Sequence, residues 1–152
     1  MLKVNTQCRD CKGTNLTMFL DLGEQALANS FLRAEQLQSK EPAYPLQVYF
    51  CSDCSLAQLV HVVDKDEMFK NYIYFSSGMP RLSPHFQKYA EDVMRRFLSD
   101  KNDLVVELAS NDGVLLKFFR DADFKVLGID PAENIAPIAE SLGVPTMVSY
   151  FS

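Results

Sequence analysis

From residue 83 onward the apolar positions recur with helical spacing. Phe86, Tyr89, Ala90, Val93, Met94, Phe97 and Leu98 fall at i, i+3, i+4, i+7, i+8, i+11 and i+12, and Gln87, Lys88, Glu91, Asp92, Arg95 and Arg96 take the opposite face. This predicts an amphipathic helix of about four turns, opened by Ser83 as cap and Pro84 in the first turn. After residue 102 the pattern changes. "DLVVELA" is a short apolar run of the kind that forms a buried parallel strand, "GVLLKFFRD" a helix, "KVLGID" a second strand and "PAENIAPIAESLG" a second helix, with "VPTMVSYFS" opening a third strand. That β-α-β-α order predicts the start of an α/β, doubly wound parallel sheet that binds its ligand at the carboxyl ends of the strands. Nearer the N-terminus, "MFLDLGEQALANSFL" reads as a strand, a turn at Gly23 and a short apolar segment, and "YPLQVYFC" alternates like a half-buried strand.

The chain changes character at about residues 62 and 102, giving three segments: 1–62, 63–102 and 103–152. In the middle one, "DKDEMFKNYIYFSSGMP" carries Phe69, Tyr72, Tyr74 and Phe75, too many rings for a plain linker, before Ser76, Ser77 and Gly78 break any helix. A tyrosine serves equally in a core or on the wall of a polar pocket; composition alone favours the core. A hydrophobic content of 47% over 152 residues supports a real core. "MLKVNTQCRD" has no apolar signal region and no stretch approaches the roughly 18 apolar residues of a membrane span, so a cytoplasmic location and no membrane partner are expected. Charge is uneven: residues 1–62 carry 5 basic and 6 acidic groups, residues 63–102 carry 7 and 6, and residues 103–152 carry 3 and 8. With no basic stripe, a nucleic-acid partner is disfavoured, including the reading of a nucleic-acid zinc ribbon.

The four cysteines form two pairs, Cys8 and Cys11 in "CRDC" and Cys51 and Cys54 in "CSDC". Two such knuckles offer four thiolates to one zinc ion in a closed, structural site. Two disulfides are disfavoured in a reducing compartment, and a redox pair lacks its βαβ setting. The 39 residues between the pairs call for a subdomain between them. His61, seven residues past Cys54, reads as an ordinary histidine, as does His85.

Glu107 and Asp130 end the two predicted strands, 23 residues apart, the offset of one βαβ unit. An acid in the place of Asp130 accepts hydrogen bonds from ribose hydroxyls in nucleotide-binding sheets. The turn "ELASNDG" has Ala109, Asn111 and Gly113 at alternating positions, without the glycine triplet that a pyrophosphate needs. Its acidity suits the ammonium and sulfonium of S-adenosylmethionine better than NAD. An acid that merely caps the helix would account for Asp112 but not for Glu107 and Asp130 together.

The whole set resembles a known family. A paired-CxxC domain with "LGEQALANSF" and "YPLQVYFCSDCSLAQL", then "YIYFSS", an amphipathic helix and "VVELASNDGVLL…VLGIDPAENIA", is similar to the zinc-containing, S-adenosylmethionine-dependent sugar C-methyltransferases, nucleotide-sugar 3-C-methyltransferases among them. The resemblance implies a small four-cysteine zinc-binding domain followed by the start of a Rossmann-like class I methyltransferase sheet. It implies that Glu107, Ala109, Ser110, Asn111 and Gly113 line the methionine and ribose region, and that Asp130 holds the ribose. It also brings Tyr72, Tyr74, Ser76 and Ser77 to the active site, the tyrosines in a catalytic role and the serines beside the cofactor. The family usually has glycine where this chain has Ala109. Its later strands and its histidine and tyrosine candidates for proton abstraction have no counterpart here, as expected of the N-terminal part of an enzyme acting on a nucleotide-linked keto-sugar. The rival reading is a zinc-binding interaction module with an incomplete cofactor fold and no activity of its own.

Overall fold

The alternating run before the second cysteine pair becomes the central strand of the first of two units. The computed structural model describes residues 2–151, and the units divide between Met68 and Phe69. In the first unit, β2 (Leu16–Ala26), β3 (Ala43–Cys51) and β4 (Ala57–Leu59) form an antiparallel sheet in the order β2-β3-β4, and β1 (Lys3–Val4) pairs with β5 (His61–Val62). Gly23 does not make the expected turn. It sits inside β2 with φ +71°, where the register with β3 shifts between Asp21 and Glu24, and its N–H donates to Asp21 Oδ1 at 2.8 Å. A bulge absorbs one left-handed residue without ending the strand, so β2 runs on to Ala26. That strand buries almost nothing: Met18, Phe19, Leu20 and Leu22 are all exposed.

A short helix, α1 (Lys65–Phe69), runs across the division. The second unit then has an extended aromatic stretch closed by a 3-10 turn at Ser76–Gly78, followed by α2 (Leu82–Phe97), β6 (Leu104–Leu108), α3 (Leu116–Asp121), β7 (Lys125–Asp130), α4 (Ala136–Ser141) and β8 (Thr146–Val148). The three strands are parallel in the order β6-β7-β8. The helix expected to have Ser83 as its cap begins two residues earlier, with Arg81 at the cap, Leu82 as its first residue and no side-chain capping bond. Pro84 falls in the first turn, where its missing N–H costs nothing. Ala90, Leu116, Phe119, Phe124, Ala139 and Val144 form the core, packed by Val93, Met94, Leu98, Val105 and Val126. Tyr89 and Phe97, on the predicted apolar stripe, remain exposed. Both later helices are shorter than their sequence patterns, each being preceded by tight turns.

All three longer elements α2, α3 and α4 contribute to that one core, against the Val105 side of β6. On the alternate positions of β6, Leu104, Val106 and Leu108 are exposed. A doubly wound sheet covers both faces. Among the described residues only one face is covered.

Candidate metal centre and strand-end site

Each cysteine pair sits in a turn built the same way. Lys12 N–H donates to Cys8 O and Cys8 N–H to Gly13 O in the first; Ser55 N–H donates to Cys51 O and Cys51 N–H to Leu56 O in the second. Lys12 and Ser55, one past each second cysteine, are both left-handed, with φ of 63° and 64°. Across the pairs Cys8 Sγ lies 3.6 Å from Cys54 Sγ, and Cys11 Sγ lies 3.6 Å from Cys51 Sγ. All four sulfurs fall within 4.8 Å of one another, with Cys8 and Cys51 buried. A disulfide would need about 2.05 Å, and all four thiols are free. The edge of a tetrahedron of four sulfurs around zinc is about 3.8 Å for Zn–S bonds of ~2.3 Å, so this donor set is arranged for one zinc ion.

The ionisation of the set shows why it wants a cation. Against the cost of burial, the Asp10 and Cys11 amides bring the Cys8 thiol down to about 6. The Gly13 amide favours a Cys11 thiolate, yet burial and the neighbouring sulfurs push that thiol up to about 12. Four thiolates at this spacing repel unless a metal neutralises them. Around the centre, Gln58 is buried and accepts from Arg9 N–H at 3.0 Å, and Asn15 donates to Asp53 Oδ1 at 2.7 Å. A Cβ on Gly13 would meet Asp53 Oδ2 at 2.1 Å and Cys11 Sγ at 3.3 Å, so a larger residue there would have to push the Asp53 side chain aside. His61 is paired in β5 and is not one of the clustered donors.

The second site lies at the carboxyl ends of β6 and β7. Ala109, Asn111 and Gly113 are all left-handed, with φ of 56°, 50° and 74°. The alternation seen in the sequence is therefore a backbone alternation, which a glycine-rich loop would adopt without strain and which Ala109 adopts at a cost of about 1 kcal/mol. Asp130 closes the turn: Oδ2 accepts from Asn111 N–H at 2.8 Å and Oδ1 from Ala132 N–H at 2.9 Å, with the residue 6% exposed. Ser110 is buried with its hydroxyl against Gly128, where an added Cβ would meet Oγ at 2.4 Å. Glu107 Oε2, Asp112 Oδ1 and Ser110 Oγ are buried without a hydrogen-bond partner. Burial, reinforced by Asp112 and Asp130, pushes the Glu107 carboxyl up to about 7.

Over this turn runs the aromatic stretch. Ser76 N–H donates to Asn111 Oδ1 at 2.9 Å, Ser77 N–H to Asp112 Oδ2 at 2.9 Å, and Asn111 Nδ2 to Tyr74 O at 3.0 Å. Asn134 grips Tyr72 on both sides, accepting its N–H at 2.9 Å and donating to its O at 2.6 Å. The Tyr72 ring packs edge-on to Phe69 at 5.9 Å and lies 6.4 Å from the Tyr74 ring, and the Tyr74 hydroxyl donates to Met79 Sδ at 3.0 Å. The structure thus brings Tyr72, Tyr74, Ser76, Ser77 and the Glu107–Asp130 group together. Two participants have roles the sequence did not indicate. Asp112 caps no helix, α3 having no side-chain cap, and instead holds Ser77. Asn134 acts across 62 residues of chain, a contact that no local pattern encodes.

Residues 8–69 match a family described as "Putative zinc binding domain". Over 146 residues, 96% of the chain, the sequence is 34% identical to the C-methyltransferase NovU of Streptomyces niveus. The chain is a relative of a C-methyltransferase. It spans 35% of that protein's length, and so corresponds to its N-terminal portion. The expected likeness to C-methyltransferases with a zinc-binding domain is borne out. Among the described residues no helix is long and apolar enough to cross a membrane.

Proposed function

We propose that residues 1–62 form a structural zinc domain, that residues 63–102 supply an aromatic strap and a supporting helix, and that residues 103–152 open a Rossmann-like class I methyltransferase sheet holding S-adenosylmethionine. The reaction is methyl transfer to a carbon beside the keto group of a nucleotide-linked deoxysugar, in the cytoplasm, with the proton-abstracting base supplied from outside these residues. The observation that supports this best is the pair of buried, unpartnered carboxylate oxygens, Glu107 Oε2 and Asp112 Oδ1, at the carboxyl end of β6 in a relative of a C-methyltransferase.

The donor fits these residues by charge. S-adenosylmethionine, when bound, supplies an electrophilic methyl group on a sulfonium. Glu107, beside Asp112 and Asp130, gives a carboxylate-rich surface on which a cationic ligand would favour the ionised form of Glu107 and a pyrophosphate would be opposed. Ala109, Asn111 and Gly113 shape the turn for a close backbone approach, Ser110 packs it against β7, and Ser76 and Ser77 close its rim. Tyr72 and Tyr74 stand on the strap above it, where a phenol can orient an acceptor and exclude water. Isothermal titration of this chain tests the reading. S-adenosylmethionine is expected to bind, and Glu107→Gln to weaken it about tenfold. Binding of a nicotinamide dinucleotide with no response to S-adenosylmethionine would overturn it.

The second reading, an interaction module, has its own support in the exposed Met18, Phe19, Leu20 and Leu22 of β2. It becomes the better one if titration shows no donor binding while the chain forms a stable complex with another protein.

A further inference from the structure

In an extended segment the N–H and C=O of alternate residues point to one edge. Residues 72, 74 and 76 present such an edge to the two loops at the strand ends, with Lys70 just before it, while Ser76 O turns away to accept from Met79 N–H at 3.3 Å. Lys70 O accepts from Glu133 N–H at 3.0 Å, and Tyr72 exchanges two bonds with the Asn134 side chain. Tyr74 O and Ser76 N–H share the Asn111 side chain. A carboxamide carries one donor side and one acceptor side in a plane, as a peptide group does. Asn134 bonded to both groups of Tyr72 reproduces the pairing of two residues in an antiparallel ladder.

We propose that Asn134 and Asn111 are positioning residues whose carboxamides replace an absent neighbouring strand and set Tyr72 and Tyr74 over the ends of β6 and β7. The function of the tyrosines rests on the methyltransferase reading; the clamp itself does not. An asparagine is required because a carboxylate only accepts, and facing the Tyr72 carbonyl it would repel. The clamp lies beside one ion pair, Lys70 Nζ to Glu133 Oε1 at 3.1 Å, both side chains half-exposed. Asn134 is itself exposed, so substitutions there leave the core untouched.

The test is amide hydrogen exchange on the 152-residue chain, corrected for intrinsic rates, with the β6 amides as a control for folding. In Asn134→Asp at about pH 7.5 the Tyr72 carbonyl loses its donor while the Tyr72 N–H keeps an acceptor, so the stretch is expected to open more often, and the Tyr72 and Ser76 amides to exchange on the order of tenfold faster. At about pH 4 protonation restores a donor, and protection should return toward the parent value. Asn134→Ala should lose protection at both pH values. Unchanged exchange in both variants at the higher pH, or Asp and Ala behaving alike at the lower, would overturn the clamp. Ring NMR signals of Tyr72 and Tyr74 then connect it to the proposed function. S-adenosylmethionine should shift them in the parent protein and shift them less in Asn134→Asp. Shifts of equal size in both proteins would overturn the positioning role. A parent protein that ignores the donor would instead overturn the methyltransferase reading and leave the exchange result standing.

Discussion

Glu107 holds its proton to about pH 7, against an ordinary value of 4.5, because burial and two neighbouring acids disfavour its charge. The folded state therefore binds this proton more tightly than the unfolded chain does. The stability it contributes is present in full below pH 4.5 and is lost as pH rises through about 7. Glu107→Gln cannot ionise, so its second unit should unfold at higher denaturant than the parent at about pH 8, by about 2 kcal/mol after allowing for partial solvent contact, and match it at about pH 4. Equal midpoints at the higher pH would show that the carboxyl carries no strain. Sequence placed this acid correctly, since an acid closing an apolar run is visible by eye. It could not show Asp112 reaching Ser77 or Asn134 reaching Tyr72, because both bonds need chain segments that meet only after folding.

At the scale of an element, the strand–turn–helix from β6 to α3 depends on three alternating left-handed residues. Gly113 is the most constrained of them. Besides its φ of +74°, an added Cβ would stand 3.1 Å from Val144 Cβ and 3.2 Å from Ala139 Cβ. Gly113→Ala should cost about 2 kcal/mol of stability, measured by urea unfolding, from backbone strain plus overpacking. A loss under ~0.5 kcal/mol would mean that the turn can relax. Strands β6 and β7 were legible because each is an apolar run with an acid at or next to its end. The bulge in β2 was not, because a left-handed glycine reads the same whether the chain reverses or merely kinks. The start of α2 was misplaced by two residues for a related reason: Pro84 is admissible at any position of a first turn.

For the whole molecule, the metal centre is the largest single contribution expected in the first unit, whose β2 buries little of its own. Binding of structural zinc contributes about 10 kcal/mol or more, exceeding what a small exposed sheet supplies. Chelation at neutral pH should abolish protection of the β2 and β3 amides and release one equivalent of zinc. Retained protection after complete metal removal would show that the sheet stands alone. Sequence announced the ligands through their spacing. It did not announce how they cross, Cys8 nearest Cys54 and Cys11 nearest Cys51.

That crossing has a further consequence. Neither knuckle can close a tetrahedron by itself, so one ion fastens both ends of the intervening span at once. Met18, Phe19, Leu20 and Leu22 lie exposed on β2 within that span, so the ion is expected to hold them in place. Metal loss is expected to leave these greasy side chains on a slack tether, prone to clumping.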